Sequence, residues 1–500
     1  PLTLLVFLVL RRWHRSLAIA GLFLASLIFY GVWNPRDVLL LLASILFNFW
    51  IGQRLQQPQG TLTQTRRRLW LQLGIGVDLG LLGYFKYAGF ASETLGSLLG
   101  LHFDLPPIIL PLGISFFTFT QIAFLVDAYR GEVREGRFLD YGLFVTYFPH
   151  LIAGPVLHHK EMMPQFRSPA LSRFQWEDFS VGATLFTMGL FKKVVFADGI
   201  APFARAVFDG SSETPGLFEA WGGALAFTFQ LYFDFSGYSD MAIGLSRLFG
   251  VRLPVNFDSP YQARNIIDFW RRWHMTLSRF LRDYLYFSLG GNRKGPFRRH
   301  LNLWLTMVLG GLWHGAGWTY LAWGALHGVY LIINHGFQHW AKDRFDPDRL
   351  RVPGQILTFL CVVLGWVLFR SPDLETAGQL YRGMLGLNGL SIPESLIPEG
   401  ARLPLLNLGL TLEEPLAFAT LSGHTFALAL WILGLSGIAF FFPNSQTLLS
   451  RYRPTLSEPQ VPSRSFLFEP KPLPLVLTVA AFLYGLTAMG SVSEFLYFQF

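Results

Sequence analysis

Apolar runs of membrane length, separated by short loops that hold most of the positive charge, constrain this 500-residue chain more than any other feature. The runs cover 1–10, 17–33, 38–51, 69–90, 107–126, 139–152, 179–208, 217–235, 301–312, 318–333, 356–369, 426–442 and 473–489. Only 14% of the residues are charged and 52% are hydrophobic, whereas a soluble domain carries about 25% charged residues. The pattern is that of a polytopic membrane protein. Several runs fall short of the roughly 20 residues needed for an untilted crossing and read as buried or partly spanning helices. The expectation is an all-α fold with about 11 to 13 membrane helices, bounded to within a few residues.

The loops predict orientation. Arg66-Arg67-Arg68 stands in one, Arg and Lys outnumber Asp over 264–299, and further basic residues lie in 335–351 and 444–471. By the positive-inside rule all four face the cytoplasm, and the C-terminus emerges on the opposite side. The net charge of +8 therefore belongs to topology and not to nucleic-acid binding. A single cysteine, Cys361, excludes an intrachain disulfide and a thiolate metal site. The chain opens on Pro1, already apolar, which suggests that native residues precede it. Nothing resembles a cleavable signal peptide.

Charge and histidine concentrate between Asn256 and Gly328. An ionisable group at membrane depth is costly and marks a functional site by default. His314 follows a run that leads inward from the basic loop, among Gly310, Gly311, Gly315 and Gly317, which permit close helix packing or a passage beside the backbone. A desolvated imidazole is neutral, the form a general base needs; the residues alone leave a structural histidine equally open. His274 ends the string Arg271-Arg272-Trp273-His274, and reads either as a headgroup contact or as a second reacting group. His327 lies about 220° from His314 on one straight helix and reads as packing. His335 and His339 have chelating spacing but no carboxylate to complete a metal site.

The segment 269–289 places Phe269, Trp270, Trp273, Leu277, Phe280, Leu281 and Tyr284 at helical spacing with arginines between them. That predicts an amphipathic helix at the basic interface. Asp234 and Asp240 lie in a polar run inside an apolar segment, either as an interhelical clamp or as a cavity lining. Asp127 is expected to pair with an arginine. The terminal aromatics Phe495, Tyr497, Phe498 and Phe500 fit an interfacial belt or a pocket insert.

The strings at 112–119, 148–155, 232–240, 256–261, 269–278, 282–286, 312–316 and 365–370 resemble the membrane-bound O-acyltransferases. The resemblance is to the bacterial branch that includes the membrane subunit of alginate O-acetylation and the D-alanyl transfer protein of teichoic acid synthesis. It implies one integral-membrane domain over 1–500, with core motifs in 107–370 and C-terminal helices and the aromatic motif in 424–500. It also implies a ring of helices around a central tunnel in a bacterial cytoplasmic membrane.

From the same resemblance come His314 as the catalytic histidine, His274 as its companion, and Tyr497, in Phe495-x-Tyr497-x-x-Phe500, as an acyl relay. Trp313, Arg271, Arg272, Asp234 and Asp240 are the candidate substrate contacts. The donor is acetyl-CoA or another acyl thioester, with no bound cofactor or metal. The expected partners are membrane lipids, an extracytoplasmic polysaccharide such as alginate, and an extracytoplasmic esterase-like acetyltransferase. D-alanyl transfer fits less well, because the chain carries its own terminal tyrosine motif. Cellulose, peptidoglycan, teichoic acid and other acceptors stay open. The alternatives are a transporter or flippase of a glycan or acyl intermediate, which would more often show inverted repeats, and a scaffold for a polymer-modifying complex.

Overall fold

The computed structural model describes residues 1–500 except 58–60, 102, 104, 134–135, 211–213, 343, 345, 347–348, 391, 408–411, 413–416, 419–423, 458–466, 470, 490–495 and 497–500. The described residues are helical, with no strand among them. The first part of the chain holds α1 (Leu2–Trp13), α2 (Arg15–Trp33), α3 (Pro35–Leu55), α4 (Gln64–Leu82), α5 (Ala88–Leu99), α6 (Ile114–Arg130), α7 (Phe138–Thr146) and α8 (His159–Phe166). The middle holds α9 (Trp176–Phe191), α10 (Asp198–Phe208), α11 (Leu217–Leu248), α12 (Ile266–Arg272), α13 (Met275–Phe280), α14 (Gly295–His314), α15 (Trp318–Ala341) and α16 (Arg351–Arg370). The last part holds α17 (Leu374–Met384), α18 (Glu399–Asn407), α19 (His424–Phe441), α20 (Ser445–Leu448) and α21 (Pro472–Ala488).

Local chemistry sets the breaks. Asn34 caps α3 by accepting from the Arg36 N–H at 3.1 Å, and Pro35 supplies the fixed φ of a first helical residue. Three π-turns, Gly83–Tyr87, Lys192–Ala197 and Leu281–Tyr286, interrupt otherwise regular helices. Each contains charged residues: Lys86, the pair Lys192 and Lys193, and Arg282 with Asp283. Such bulges recur at functional sites.

Among the described residues, four helical stretches are long and apolar enough to cross a membrane: Arg15–Trp33, Pro35–Leu55, Trp176–Phe208 and Arg351–Arg370. Thr425–Phe441 and Pro472–Ala488 are apolar but shorter. The remaining expected crossings do not separate out by hydropathy for a physical reason. Helices such as α11 turn polar faces inward, burying Gln230, Asp234, Ser239 and Asp240 against protein. At the periphery, α21 exposes Leu473, Val476, Leu477, Val479 and Leu483, the surface a lipid-facing helix presents.

The long α11 is the axis of the largest core. Glycines let it meet α9 backbone to backbone. A Cβ on Gly189 would lie 2.5 Å from the Gly237 carbonyl oxygen, and one on Gly244 would lie 2.5 Å from the Phe186 nitrogen. Small residues are what allow membrane helices this approach.

The expected single amphipathic helix over 269–289 is corrected. It is divided into α12, α13 and the π-turn, with a break at His274, whose φ is +42°. Its apolar face is buried: Phe269, Trp273, Leu277 and Phe280 belong to the interior. Interior packing, rather than an interfacial position, decides the course of the chain here.

Candidate active site

The break at His274 is held by Asn256. The Asn256 Oδ1 accepts from the Thr276 N–H at 3.3 Å and from the Thr276 hydroxyl at 2.8 Å, and lies 3.1 Å from His274 Nδ1. The Met275 N–H donates to the Asn256 carbonyl at 2.9 Å. Because Oδ1 accepts from a backbone N–H, the His274 Nδ1 must be the donor. The basic lone pair of His274 then resides on Nε2. The Asn256 Nδ2 reaches Ser239 Oγ at 3.3 Å, tying the break to α11.

His314 is the last residue of α14. Gly315 leaves the helix in an extended conformation, and α15 turns back from Trp318. The two helices touch through glycine. A Cβ on Gly311 would lie 2.2 Å from the Tyr320 carbonyl oxygen, and one on Gly324 would lie 2.4 Å from that of Met307. The imidazole of His314 is enclosed by Trp323, Phe369 and Trp313, at ring-centroid distances of 5.3, 5.3 and 5.0 Å. The His274 ring lies 6.3 Å away. Both histidines are buried.

His314 lines one cavity, and a second is reached from it only through a run of aromatic rings. One, of about 120 Å³, is lined by Lys86, Ser115, Trp313 and His314, with Trp33 and Ile152 at its wall. The other, of about 490 Å³, lies at the end bearing the basic loops. Its lining is of mixed charge: Arg130, Lys160, Arg279 and Arg293 stand against Asp127, Glu132, Glu161 and Asp283, with His158 and Tyr284 between them. Stacked rings occupy the space between them. Trp313 stacks on Phe119 at 5.0 Å, Phe119 on Phe280 at 4.2 Å, and Phe280 meets Tyr284 at 5.0 Å.

Charges in this larger cavity are mostly paired. Arg279 grips Glu161 through both terminal nitrogens at 2.5 and 2.8 Å. Lys160 meets Glu132 at 2.9 Å, a bond that raises the lysine pKa. The Tyr284 hydroxyl donates to Asp127 at 2.8 Å and lies 3.1 Å from His158 Nδ1. Burial, with the Arg279 guanidinium adding to it, lowers the His158 pKa to about 4. Asp127 has the expected arginine, Arg130, only at 3.8 Å; Tyr284, and His159 at 3.2 Å, are its closer partners.

The structure thus brings together His314, His274 and Trp313. Other candidates lie apart from the two cavities. Asp234 is bound by Lys193 at 2.8 Å. Asp240 is bound by Lys192 at 2.7 Å and by Ser445 and Gln446 at 2.5 Å. Arg272 pairs with Asp268 at 2.8 Å, and Arg271 is exposed. His327 packs among Trp270, Trp323 and Tyr330. His335 lies 3.1 Å from Arg299, and no metal-holding group of three His, Cys, Asp or Glu occurs among the described residues. Tyr497, Phe495 and Phe500 lie outside the described residues. Their neighbour Leu496 is described: it is buried in the α11 core, with a backbone hydrogen bond to Asp234.

Asn256 and Ser115 stand in the strings that carry the resemblance but had no role of their own there, and Lys86 and Tyr87 had none at all. Lys86 carried a usable signal, being a cation inside the apolar run 69–90. Its ammonium donates to the Trp313 carbonyl at 2.6 Å and the His314 carbonyl at 3.1 Å.

Residues 119–369 match the family model described as MBOAT, membrane-bound O-acyltransferase family. The chain is 42% identical over 419 residues to the peptidoglycan O-acetyltransferase of Helicobacter pylori, covering 78% of this chain and 79% of that one. It is 46% identical over 378 residues to the probable alginate O-acetylase of Pseudomonas putida, covering 75% and 76%. The teichoic acid D-alanyltransferase of Streptococcus thermophilus is 27% identical over 286 residues, covering 52% and 68%.

Proposed function

The chain belongs to the membrane-bound O-acyltransferase family, and on that premise we propose that it carries acetyl from a cytoplasmic thioester, acetyl-CoA, across the bacterial cytoplasmic membrane to hydroxyls of an extracytoplasmic polysaccharide. O-acylation of a polysaccharide is the chemistry named for the two relatives of highest coverage. The observation that carries the reading is the buried pair of His314 and His274, their rings 6.3 Å apart. His314 lines the smaller cavity, and the adjacent Trp313 heads the ring ladder that ends at Tyr284 on the wall of the larger one.

In this mechanism the anionic donor meets the larger cavity at Arg293, which, unlike Lys160 and Arg279, has no carboxylate partner among the described residues. His314 takes the proton of the attacking hydroxyl as its oxygen bonds to the thioester carbon. The tetrahedral adduct collapses, the C–S bond breaks, and the thiolate leaves and recovers that proton. General-base assistance of this kind contributes ~10² to 10⁴-fold. His274 stands beside the same centre, its ring 6.3 Å from that of His314.

The attacking hydroxyl is the phenol of Tyr497, giving a tyrosyl ester, or that of the acceptor directly. A phenol leaves more readily than a sugar alkoxide, so onward transfer is not uphill. The burial of Leu496 against Asp234 supports a tail that enters the protein. An extracytoplasmic esterase-like partner completes transfer to the polymer. The basic loops support a cytoplasmic donor side and an extracytoplasmic C-terminus.

The test uses labelled acetyl-CoA with wild type, His314→Ala and Tyr497→Phe, each at verified membrane abundance. Both variants should lose product acetylation. Full activity in His314→Ala sinks the mechanism; full activity in Tyr497→Phe removes only the relay.

A further inference from the structure

We infer that Lys86 is a positioning residue of the reacting centre, acting through the last turn of α14. The inference rests on His314 being the reacting base. It adds a residue that lies outside the segment matched by the family model.

The last four carbonyls of a helix have no partner within it. In α14 the chain turns extended at Gly315, so no following turn can supply donors. The π-turn Gly83–Tyr87 supplies them instead. The Tyr87 hydroxyl donates to the Leu312 carbonyl at 2.9 Å, and Lys86 Nζ donates to those of Trp313 and His314 at 2.6 and 3.1 Å. Three consecutive carbonyls at the His314 end are thereby fixed from one neighbouring turn.

The third ammonium contact is Ser115 Oγ at 3.3 Å. Ser115 stands in the first turn of α6, after Gly113, whose φ of +68° turns the chain in toward the same cavity. An ammonium has three protons, and three acceptors take them. Lys86 is therefore committed to the scaffold and not to a reactant. Its charge also sits at the negative end of the α14 dipole, where a cation is favoured. The arrangement ties the turn after α4, the start of α6 and the end of α14 together at the wall of the cavity that His314 lines.

The experiment compares the full chain with Lys86→Met, Lys86→Arg and Tyr87→Phe by two readouts. One is acetyl transfer from acetyl-CoA, resolved into kcat and KM. The other is amide hydrogen exchange of the peptide over 308–316, with α9 and α11 as internal control for folding. Lys86→Met is expected to lower kcat about 100-fold, the scale of a small misplacement of a reacting group, with donor KM unchanged and exchange accelerated in 308–316 alone. Lys86→Arg, which can still donate to the carbonyls, restores most of kcat. Tyr87→Phe accelerates exchange in the same turn with a smaller loss of rate.

Wild-type kcat in Lys86→Met overturns the inference. So does a loss of kcat with unchanged exchange, which would put Lys86 on the reactants themselves. If the wild type transfers nothing from acetyl-CoA, the proposed donor is wrong, and the exchange measurement alone decides whether Lys86 holds the turn.

Discussion

The rings of His274 and His314 stand 6.3 Å apart, one at the break between two short helices and the other at the free end of a long one. Neither position is held by its own helix. His274 depends on Asn256, whose carboxamide oxygen serves His274 and Thr276 together. Asn256→Leu should therefore mimic His274→Ala. Each lost buried partner costs ~1 to 3 kcal/mol, and the left-handed turn at His274 loses its anchor. Polymer acetylation per unit of folded protein measures this. An Asn256→Leu enzyme much more active than His274→Ala would show that the turn holds itself.

The elbow of α14 and α15 has no room for a side chain at Gly311. Gly311→Ala puts a methyl 2.2 Å from a backbone oxygen, a fixed obstacle. Overpacking of this kind costs ~1 to 3 kcal/mol or more. Gly310→Ala, whose methyl meets only the Leu281 Cδ1 at 3.1 Å, is the control. We expect a lower melting temperature in detergent and lost activity for the first, and near wild-type behaviour for the second. Equal melting temperatures would mean that the elbow can open without cost.

Much of this site was legible in the chain. Glycines around His314, a cation-rich string before His274 and apolar runs on either side are local patterns, and local patterns survive in a sequence. What was not legible is contact between distant segments. Lys86 and His314 are 228 residues apart in the chain, and nothing in either neighbourhood names the other. The break at His274 escaped for a related reason. Helical spacing of Phe269, Trp273, Leu277 and Phe280 predicts a continuous helix, but the competing bonds come from Asn256, on a different segment. The polar run of α11 was ambiguous because a clamp and a cavity lining use the same residue types.

The Asp240 contacts favour the clamp. This carboxylate, buried, is shared by Lys192, Ser445 and Gln446. Asp240→Ala leaves the lysine without its counter-charge, and removing one partner of a buried pair costs ~3 to 5 kcal/mol. The expected result is a lower melting temperature and lower abundance, with donor KM unchanged in the protein that folds. A raised KM at unchanged stability would instead make Asp240 a substrate contact.

Arg293 offers a test of donor capture. It lines the larger cavity, and among the described residues no carboxylate pairs with it, unlike Lys160 and Arg279. It follows the positive-φ residues Gly290 and Gly291 in an exposed turn. Arg293→Glu should raise donor KM about tenfold at low salt, with kcat little changed. The difference should shrink as added salt screens exposed charges. KM measured at two ionic strengths decides it, and an unchanged KM at low salt would remove Arg293 from the donor path.

His158 gives the larger cavity a pH dependence. Its ring stacks on Tyr284 with centroids 5.5 Å apart, and its Nδ1 lies 3.1 Å from that hydroxyl. Arg279 faces it, with Glu161, Asp127 and Asp283 nearby; burial and then Arg279 bring its pKa down to about 4. An unfolded histidine titrates near 6.5. The unfolded chain therefore binds this proton first as acid is added. The stability contributed by the neutral ring is complete above pH ~6.5 and is lost as pH falls toward 4. His158→Gln, which keeps a polar group without the titration, should flatten part of the fall in melting temperature between pH 7 and 4.5. A slope identical to that of the wild type would assign the acid sensitivity to other titrating groups and not to His158.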